Sequence, residues 1–259
     1  MKKKAVLYGA LALVSYLFFV AAQTPADRVY HWAKEKLPFA LYQIDGTVWQ
    51  GRAAVATLGQ RPQRLEALQW KLQPAALLLV RAQGAVNFRY DNRNFSGTVG
   101  RSLSRLYLHD LKGSLAAAAV ETLSPQLAFG LSGLFEIEFD ELALDGAQLG
   151  SVEGTIRWRD AGMELNNTTF GNFELVLTTA DDKINGVVRD IDGPLKVNGT
   201  LLIQPVGDYI FAATIELRDN QRNDLRQGLR FIGTPNAKGV YTIKHQGQLP
   251  LQALTAAPG

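Results

Sequence analysis

Cysteine is absent from the 259 residues, and histidine occurs only three times. The first absence excludes disulfide scaffolds, cysteine-ligated zinc, iron–sulfur clusters and thiol nucleophiles. The second leaves His31, His109 and His245, which are scattered and form neither a His-Glu-x-x-His helix nor a His-x-His strand pair. Phosphate-binding signatures are missing as well, since there is no Gly-Lys-Thr loop and no Gly-x-Gly-x-x-Gly after a strand. Ser132, in Gly130-Leu131-Ser132-Gly133, lacks the glycine spacing of a nucleophile elbow. An excess of one charge sign is also lacking once the charges are located. The formal net charge is +3, from 27 Lys and Arg against 24 Asp and Glu, and Lys2, Lys3 and Lys4 supply all of it. No basic block remains to displace counterions from phosphates, so nucleic acid is not an expected partner.

What is present begins with a membrane signal. Residues 5–22 form an uncharged run of Ala, Leu, Val, Phe and Tyr behind the three lysines. At 1.5 Å per residue such a helix reaches about 27 Å, close to the thickness of a bilayer core. The positive-inside rule keeps residues 1–4 in the cytoplasm as a short start and places Gln23 onward on the outer side of the inner membrane. Val20-Ala21-Ala22 is also a small-residue end that signal peptidase accepts, and both readings export the remainder. The apolar run is longer than a usual signal core, and a helical pattern with Val29, Trp32, Ala33, Lys36 and Leu37 follows it. The expectation is a retained anchor at 5–22, a helical connector at 23–38 and a periplasmic domain at 39–259.

From Phe39 onward the dominant pattern is period two. Leu68, Trp70 and Leu72 alternate with Gln69, Lys71 and Gln73, and Phe135, Ile137 and Phe139 alternate with Glu136, Glu138 and Asp140. One buried and one solvated face per strand indicates antiparallel pairing. Turn dipeptides recur at Asp45-Gly46, Asp91-Asn92, Ser96-Gly97, Lys112-Gly113, Asp145-Gly146, Asn185-Gly186, Asp192-Gly193, Asn198-Gly199 and Gln246-Gly247. Their spacing predicts roughly a dozen hairpin-connected strands. Helical patterns are confined to Pro74–Leu79 and to Asp219–Ile232, where Leu225, Leu229 and Ile232 share a face. The expected fold is mainly β: a large curved, mostly antiparallel sheet, open or partly rolled, with an N-terminal transmembrane helix and few short helices. Its ends should be the strands near Leu41–Trp49 and Val240–Gln248. Asp45-Gly46-Thr47-Val48-Trp49 is echoed at Glu153–Trp158, either as an internal repeat or because Gly-Thr-β-branched commonly begins a strand after a turn.

Glu136, Glu138, Asp140 and Glu141 form the one dense acidic cluster. Adjacent carboxylates on one strand face lie roughly 7 Å apart, a spacing open to a cation, a basic partner or an acid–base pair, and equally to a solvated strand face. Trp49, Trp70 and Trp158 fall in strand-like segments, where core packing is the simplest role and a lipid-facing groove the alternative.

The segment Ile44-Asp45-Gly46-Thr47-Val48-Trp49-Gln50-Gly51 resembles type II secretion system protein N. So does Leu68-Gln69-Trp70-Lys71-Leu72-Gln73-Pro74, with Leu77-Leu78 after it. Gly154-Thr155-Ile156-Arg157-Trp158 and the late run Leu229, Gly233, Gly239, Tyr241, Ile243 and Gly247 are similar to the same family. The resemblance singles out Gly46, Thr47, Trp49, Gly51, Trp70, Pro74, Gly154, Trp158, Gly233, Gly239 and Gly247. It implies a bitopic inner-membrane accessory of the machinery that moves folded periplasmic proteins through an outer-membrane secretin. It also implies other inner-membrane and periplasmic subunits of that system as partners, and no enzyme activity, cofactor, metal or small-molecule substrate. A more distant likeness to AsmA-like envelope proteins implies the alternative of a lipid-contacting β-sheet groove.

Overall fold

The computed structural model describes residues 8, 12–13, 15–16, 19–37, 39–58, 63–74, 81–102, 104–123, 130–164, 168–219, 221–229, 234–249 and 251. Every described residue from Tyr8 to Ala22 is helical. Helix α1 (Ala26–Ala33) and a 3₁₀ turn (Lys34–Lys36) then lead into the first strand. Among the described residues no helix is long and apolar enough to cross a membrane.

Among the described residues thirteen strands follow: β1 (Phe39–Gly46), β2 (Gln50–Leu58), β3 (Gln63–Leu72), β4 (Ala82–Tyr90), β5 (Arg93–Arg101), β6 (Arg105–Ala116), β7 (Leu131–Asp145), β8 (Gln148–Met163), β9 (Thr168–Ala180), β10 (Lys183–Asp192), β11 (Leu195–Ile203), β12 (Asp208–Leu217) and β13 (Tyr241–Gln248). They form one open antiparallel sheet in strict chain order, with β1 and β13 at its ends. Helix α2 (Ala117–Leu123) follows β6, and α3 (Asn223–Leu229) lies between β12 and β13.

Alternation in the sequence becomes alternation of faces across the sheet, because directly opposed residues of antiparallel strands point the same way. Ile137, Ile156, Leu175, Val188, Gly199, Ala213 and Ile243 stand opposite one another from β7 to β13. One position along, Glu136, Arg157, Glu174, Arg189, Asn198, Thr214 and Thr242 form the matching row on the other face. The apolar face is deepest where α3 covers it: Leu225 and Leu229 are buried with Leu195, Val197, Ile215, Leu217 and Tyr241. A second cluster gathers Val152, Leu177 and Ile184. Between these clusters Ile137, Ile156, Leu175 and Val188 are only half-buried.

Several sequence expectations change here. Asp45-Gly46, Asp91-Asn92, Asp145-Gly146 and Asp192-Gly193 lie at hairpins, whereas Ser96-Gly97, Lys112-Gly113, Asn185-Gly186, Asn198-Gly199 and Gln246-Gly247 lie inside strands. Space, not turning, explains two of these glycines. A Cβ at Gly113 would sit 2.1 Å from the Phe95 ring, and one at Gly247 would sit 2.8 Å from the Tyr209 hydroxyl. Each glycine pairs across the ladder with the aromatic residue that lies over it. Asp181-Asp182 forms a two-residue hairpin with φ of 51° and 57°, supplied by the left-handed tolerance of aspartate without any glycine. The echo between Asp45–Trp49 and Glu153–Trp158 is not structural, since its Gly-Thr ends a strand at the first site and lies within β8 at the second. Of the two helical patterns, the later contains α3, with Ile232 outside the described residues. In the earlier only Pro74 is described.

Candidate functional site

The residues singled out in the first half of the chain converge where the N-terminal helix meets the sheet. Trp49 occupies the turn between β1 and β2, not a strand as its sequence context suggests. From that turn its indole N–H donates to the Ala21 carbonyl at 2.7 Å, and the Val48 N–H donates to the Thr24 carbonyl at 3.0 Å. Thr47 makes an isolated antiparallel bridge with Pro25. The other side of the turn is held by β3: the Trp70 indole donates to the Val48 carbonyl at 3.0 Å, and the Leu72 N–H donates to the Trp49 carbonyl at 2.7 Å.

The glycines of the motif make that geometry possible. Gly46 closes the strand at φ +94°, a backbone conformation that favours glycine. A Cβ at Gly51 would lie 2.3 Å from the Trp70 ring directly across the ladder. Gly46-Thr47-Val48-Trp49-Gln50-Gly51 is therefore a clamp that grips the end of the first helix on one side and β3 on the other. Helix α1 strengthens it, because the Tyr30 hydroxyl accepts a hydrogen bond at 2.9 Å from the N–H of Leu41 on β1.

Beside the clamp, Gln50, Arg52, Gln69, Lys71 and Asn87 help line an open depression of about 470 Å³. Among its described lining residues the one carboxylate, Asp45, is already engaged. Arg52 donates to Asp45 at 2.6 Å, and that hydrogen bond with its charge holds the Asp45 carboxyl below the usual carboxylate range. Among the described residues the depression offers polar contacts but no nucleophile paired with a base.

The remaining motif residues do not join this site. Gly154 lies under Phe139 on β7, and Trp158 stacks on Phe135 at 5.2 Å, with Phe173 and Phe170 at 6.0 and 6.4 Å. The Trp158 indole donates to the Ser132 carbonyl at 2.9 Å. Pro74 follows the end of β3, Gly239 turns the chain before β13 with φ +77°, and Gly247 sits within β13. Gly233 lies outside the described residues.

Three carboxylates of the acidic strand, Glu136, Glu138 and Glu141, are neutralised from its neighbours. Arg159 pairs with Glu136 at 3.0 Å, and Arg157 bridges Glu138 at 3.3 Å and Glu174 at 3.0 Å. Arg189 completes the ladder on Glu174 at 3.1 Å, while Arg105 pairs with Glu141 at 3.1 Å. Hydrogen bonding to Glu174 raises the Arg157 pKa further above its ordinary value, so that guanidinium stays charged. Among the described residues no group of three or more His, Cys, Asp or Glu could hold a metal ion. The three histidines are on α1, β6 and β13, and no two share a strand or helix.

Sequence reasoning missed Asp190, which ties β10 to β11 and to Arg218, the residue after the end of β12. Its carboxylate accepts from the Val197 N–H at 2.7 Å and from Arg218 at 2.5 Å. Burial alone would favour the neutral acid, but those bonds outweigh it and the pKa lies below the ordinary carboxylate range. The signal was weak because Asp190-Ile191-Asp192-Gly193 reads simply as a turn.

Fold and junction define a class: a single-sheet antiparallel β protein whose end strand is locked to a preceding helix. The family model described as "Type II secretion system (T2SS), protein N" matches residues 38–244. The type II secretion system protein N of Aeromonas hydrophila is 29% identical over 258 residues, covering 95% of this chain and 100% of the relative. That of Vibrio cholerae serotype O1 is 27% identical over 260 residues, with coverage of 95% and 100%. No solved structure gives a significant match. The chain belongs to the type II secretion system protein N family.

Proposed function

We propose that the chain is a non-enzymatic inner-membrane component of the type II secretion system, anchored by residues 5–22 with its sheet in the periplasm. It acts in export of folded periplasmic proteins across the outer membrane and contacts the system's inner-membrane and periplasmic subunits. The observation that carries this reading is the clamp, in which Thr47, Val48 and Trp49 hold Ala21, Thr24 and Pro25. A turn that grips the end of an apolar helix fixes the orientation of a large sheet relative to whatever that helix enters. Lys2, Lys3 and Lys4 before the uncharged run support an orientation with the sheet outside. Family membership supports the secretion context.

The test is deletion of the gene followed by assay of an exoprotein in medium and periplasm. The expected result is exoprotein trapped in the periplasm and released again by the full chain. Unchanged release would overturn the reading and favour a lipid-shielding sheet, for which the half-buried row at Ile137, Ile156, Leu175 and Val188 is the specific support.

A further inference from the structure

Helix α1 has a side chain that the clamp leaves unexplained. Ala26 is buried, and Val29, Tyr30 and Ala33 are half-buried, so the helix has a well-defined packed face. Trp32 is 85% exposed, the extreme among the exposed large hydrophobic residues of the described chain. Exposing a whole indole forgoes one of the largest burial gains available to any side chain. Arg28 stands four residues earlier, on the same side of the helix as Trp32, and is also exposed. Among the described residues it has no ion-pair partner.

The direction in which this face points is given by its neighbours. Arg28 lines an open depression of about 490 Å³ together with Tyr16, Phe19 and Val20 of the N-terminal helix. Only Gln23, Thr24 and Pro25 separate that helix from α1, a connection of at most about 10 Å. The clamp fixes the connection to the sheet. Arg28 is therefore on the side of α1 toward the apolar helix, and Trp32, one turn further along the same side, extends that face into solvent.

We propose that α1 lies in the interfacial layer of the lipid bilayer, with the Trp32 indole among the glycerol and headgroup atoms and the Arg28 guanidinium on a lipid phosphate. This rests on the membrane-anchor reading above. An indole is amphipathic and gathers at the membrane–water boundary, and a neighbouring guanidinium can reach a phosphate while its stem stays against apolar surface. The clamp then sets the β1 edge of the sheet at the membrane and holds the β13 edge twelve strands away. The bilayer is favoured over a protein partner because the face is continuous with the segment that enters the membrane.

The test uses the full chain with vesicles of phosphatidylethanolamine and phosphatidylglycerol, with and without acyl chains brominated near the carbonyl. Flotation reports insertion, and tryptophan emission reports depth. The chain should float, brominated lipid should quench its emission, and Trp32→Phe should remove a large part of that quenching, the remainder belonging to Trp49 beside Ala21 at the end of the anchor. Iodide in solution should quench the floated wild-type chain no more than the floated Trp32→Phe variant. A chain that fails to float overturns this inference and the anchor reading together. A chain that floats while Trp32→Phe leaves lipid quenching unchanged, or while Trp32 remains open to iodide, overturns this inference alone and frees that face for a protein partner.

Discussion

Trp158→Ala is expected to cost about 3 kcal/mol of folding stability, the low end of the range for removing a large aromatic side chain from a packed site. The low end applies because the indole is half-buried. It nevertheless joins three strands: Phe135 on β7 and Phe173 on β9 flank it, and its N–H reaches the Ser132 carbonyl on β7. Trp158→Phe keeps the ring contacts and gives up one hydrogen bond, so its expected cost is nearer 1 kcal/mol. Trp32→Ala, at an exposed position, should leave stability within about 0.5 kcal/mol of wild type. Chemical denaturation of the three variants checks the order, with the midpoint moving and the slope constant. Equal midpoints for Trp158→Ala and Trp32→Ala would remove the aromatic stack from the account.

Asp190→Ala should destabilise by about 2 kcal/mol, because it leaves the Val197 N–H and the Arg218 guanidinium without their shared acceptor. The Asp190 side chain is only 8% exposed, so water does not readily replace the lost contacts. The same residue makes stability depend on pH. Its folded-state pKa is depressed, so its charged form stabilises the fold above the unfolded value of about 3.9, and that contribution is lost as pH falls through the folded pKa. Asp224, held at about 2 chiefly by its hydrogen bond with Arg222, and Asp45 titrate in the same acidic region. Both are present in wild type and variant alike, so they cancel from the comparison. The expected result is that the stability gap between wild type and Asp190→Asn narrows as pH falls below about 4. A gap that stays constant from neutral pH to pH 2 would show that the carboxylate's charge contributes nothing.

The sheet was legible because its signal is local. Period-two alternation at Leu68–Gln73 and Phe135–Asp140 requires only that one strand face be wetter than the other. The two end strands followed from chain order in a meander. Glycine was the weak point, since Gly113 and Gly247 look like turn residues until the register places Phe95 and Tyr209 across from them. The Asp181-Asp182 hairpin was missed because two aspartates in a row read as a solvated pair, although they adopt the same left-handed turn as Asp91-Asn92.

Of the candidate site, the motif from Gly46 to Gly51 was visible as a pattern but its role was not. Its partners Ala21, Thr24 and Trp70 lie 20 or more residues away along the chain, and only folding brings them to Trp49 and Val48. The acidic cluster illustrates the same limit. Glu136 and Glu138 resemble a charged site in sequence, while Arg157 and Arg159, which neutralise them, arrive from the next strand.

If the chain acts by position and contact, as proposed, its acidic strand serves only the sheet surface and can be neutralised without loss of export. The most direct measurement is the ratio of exoprotein in medium to exoprotein in periplasm, in a deletion strain carrying Glu136→Ala, Glu138→Ala and Asp140→Ala together. The exposed ion pairs of Glu136 and Glu138 contribute about 0–1 kcal/mol each, and Asp140 is exposed, so the variant should fold and accumulate. The expected ratio is close to that of a strain carrying the wild-type chain. Exoprotein trapped as fully as in the empty deletion strain, with the variant folded and present at normal level, would contradict it.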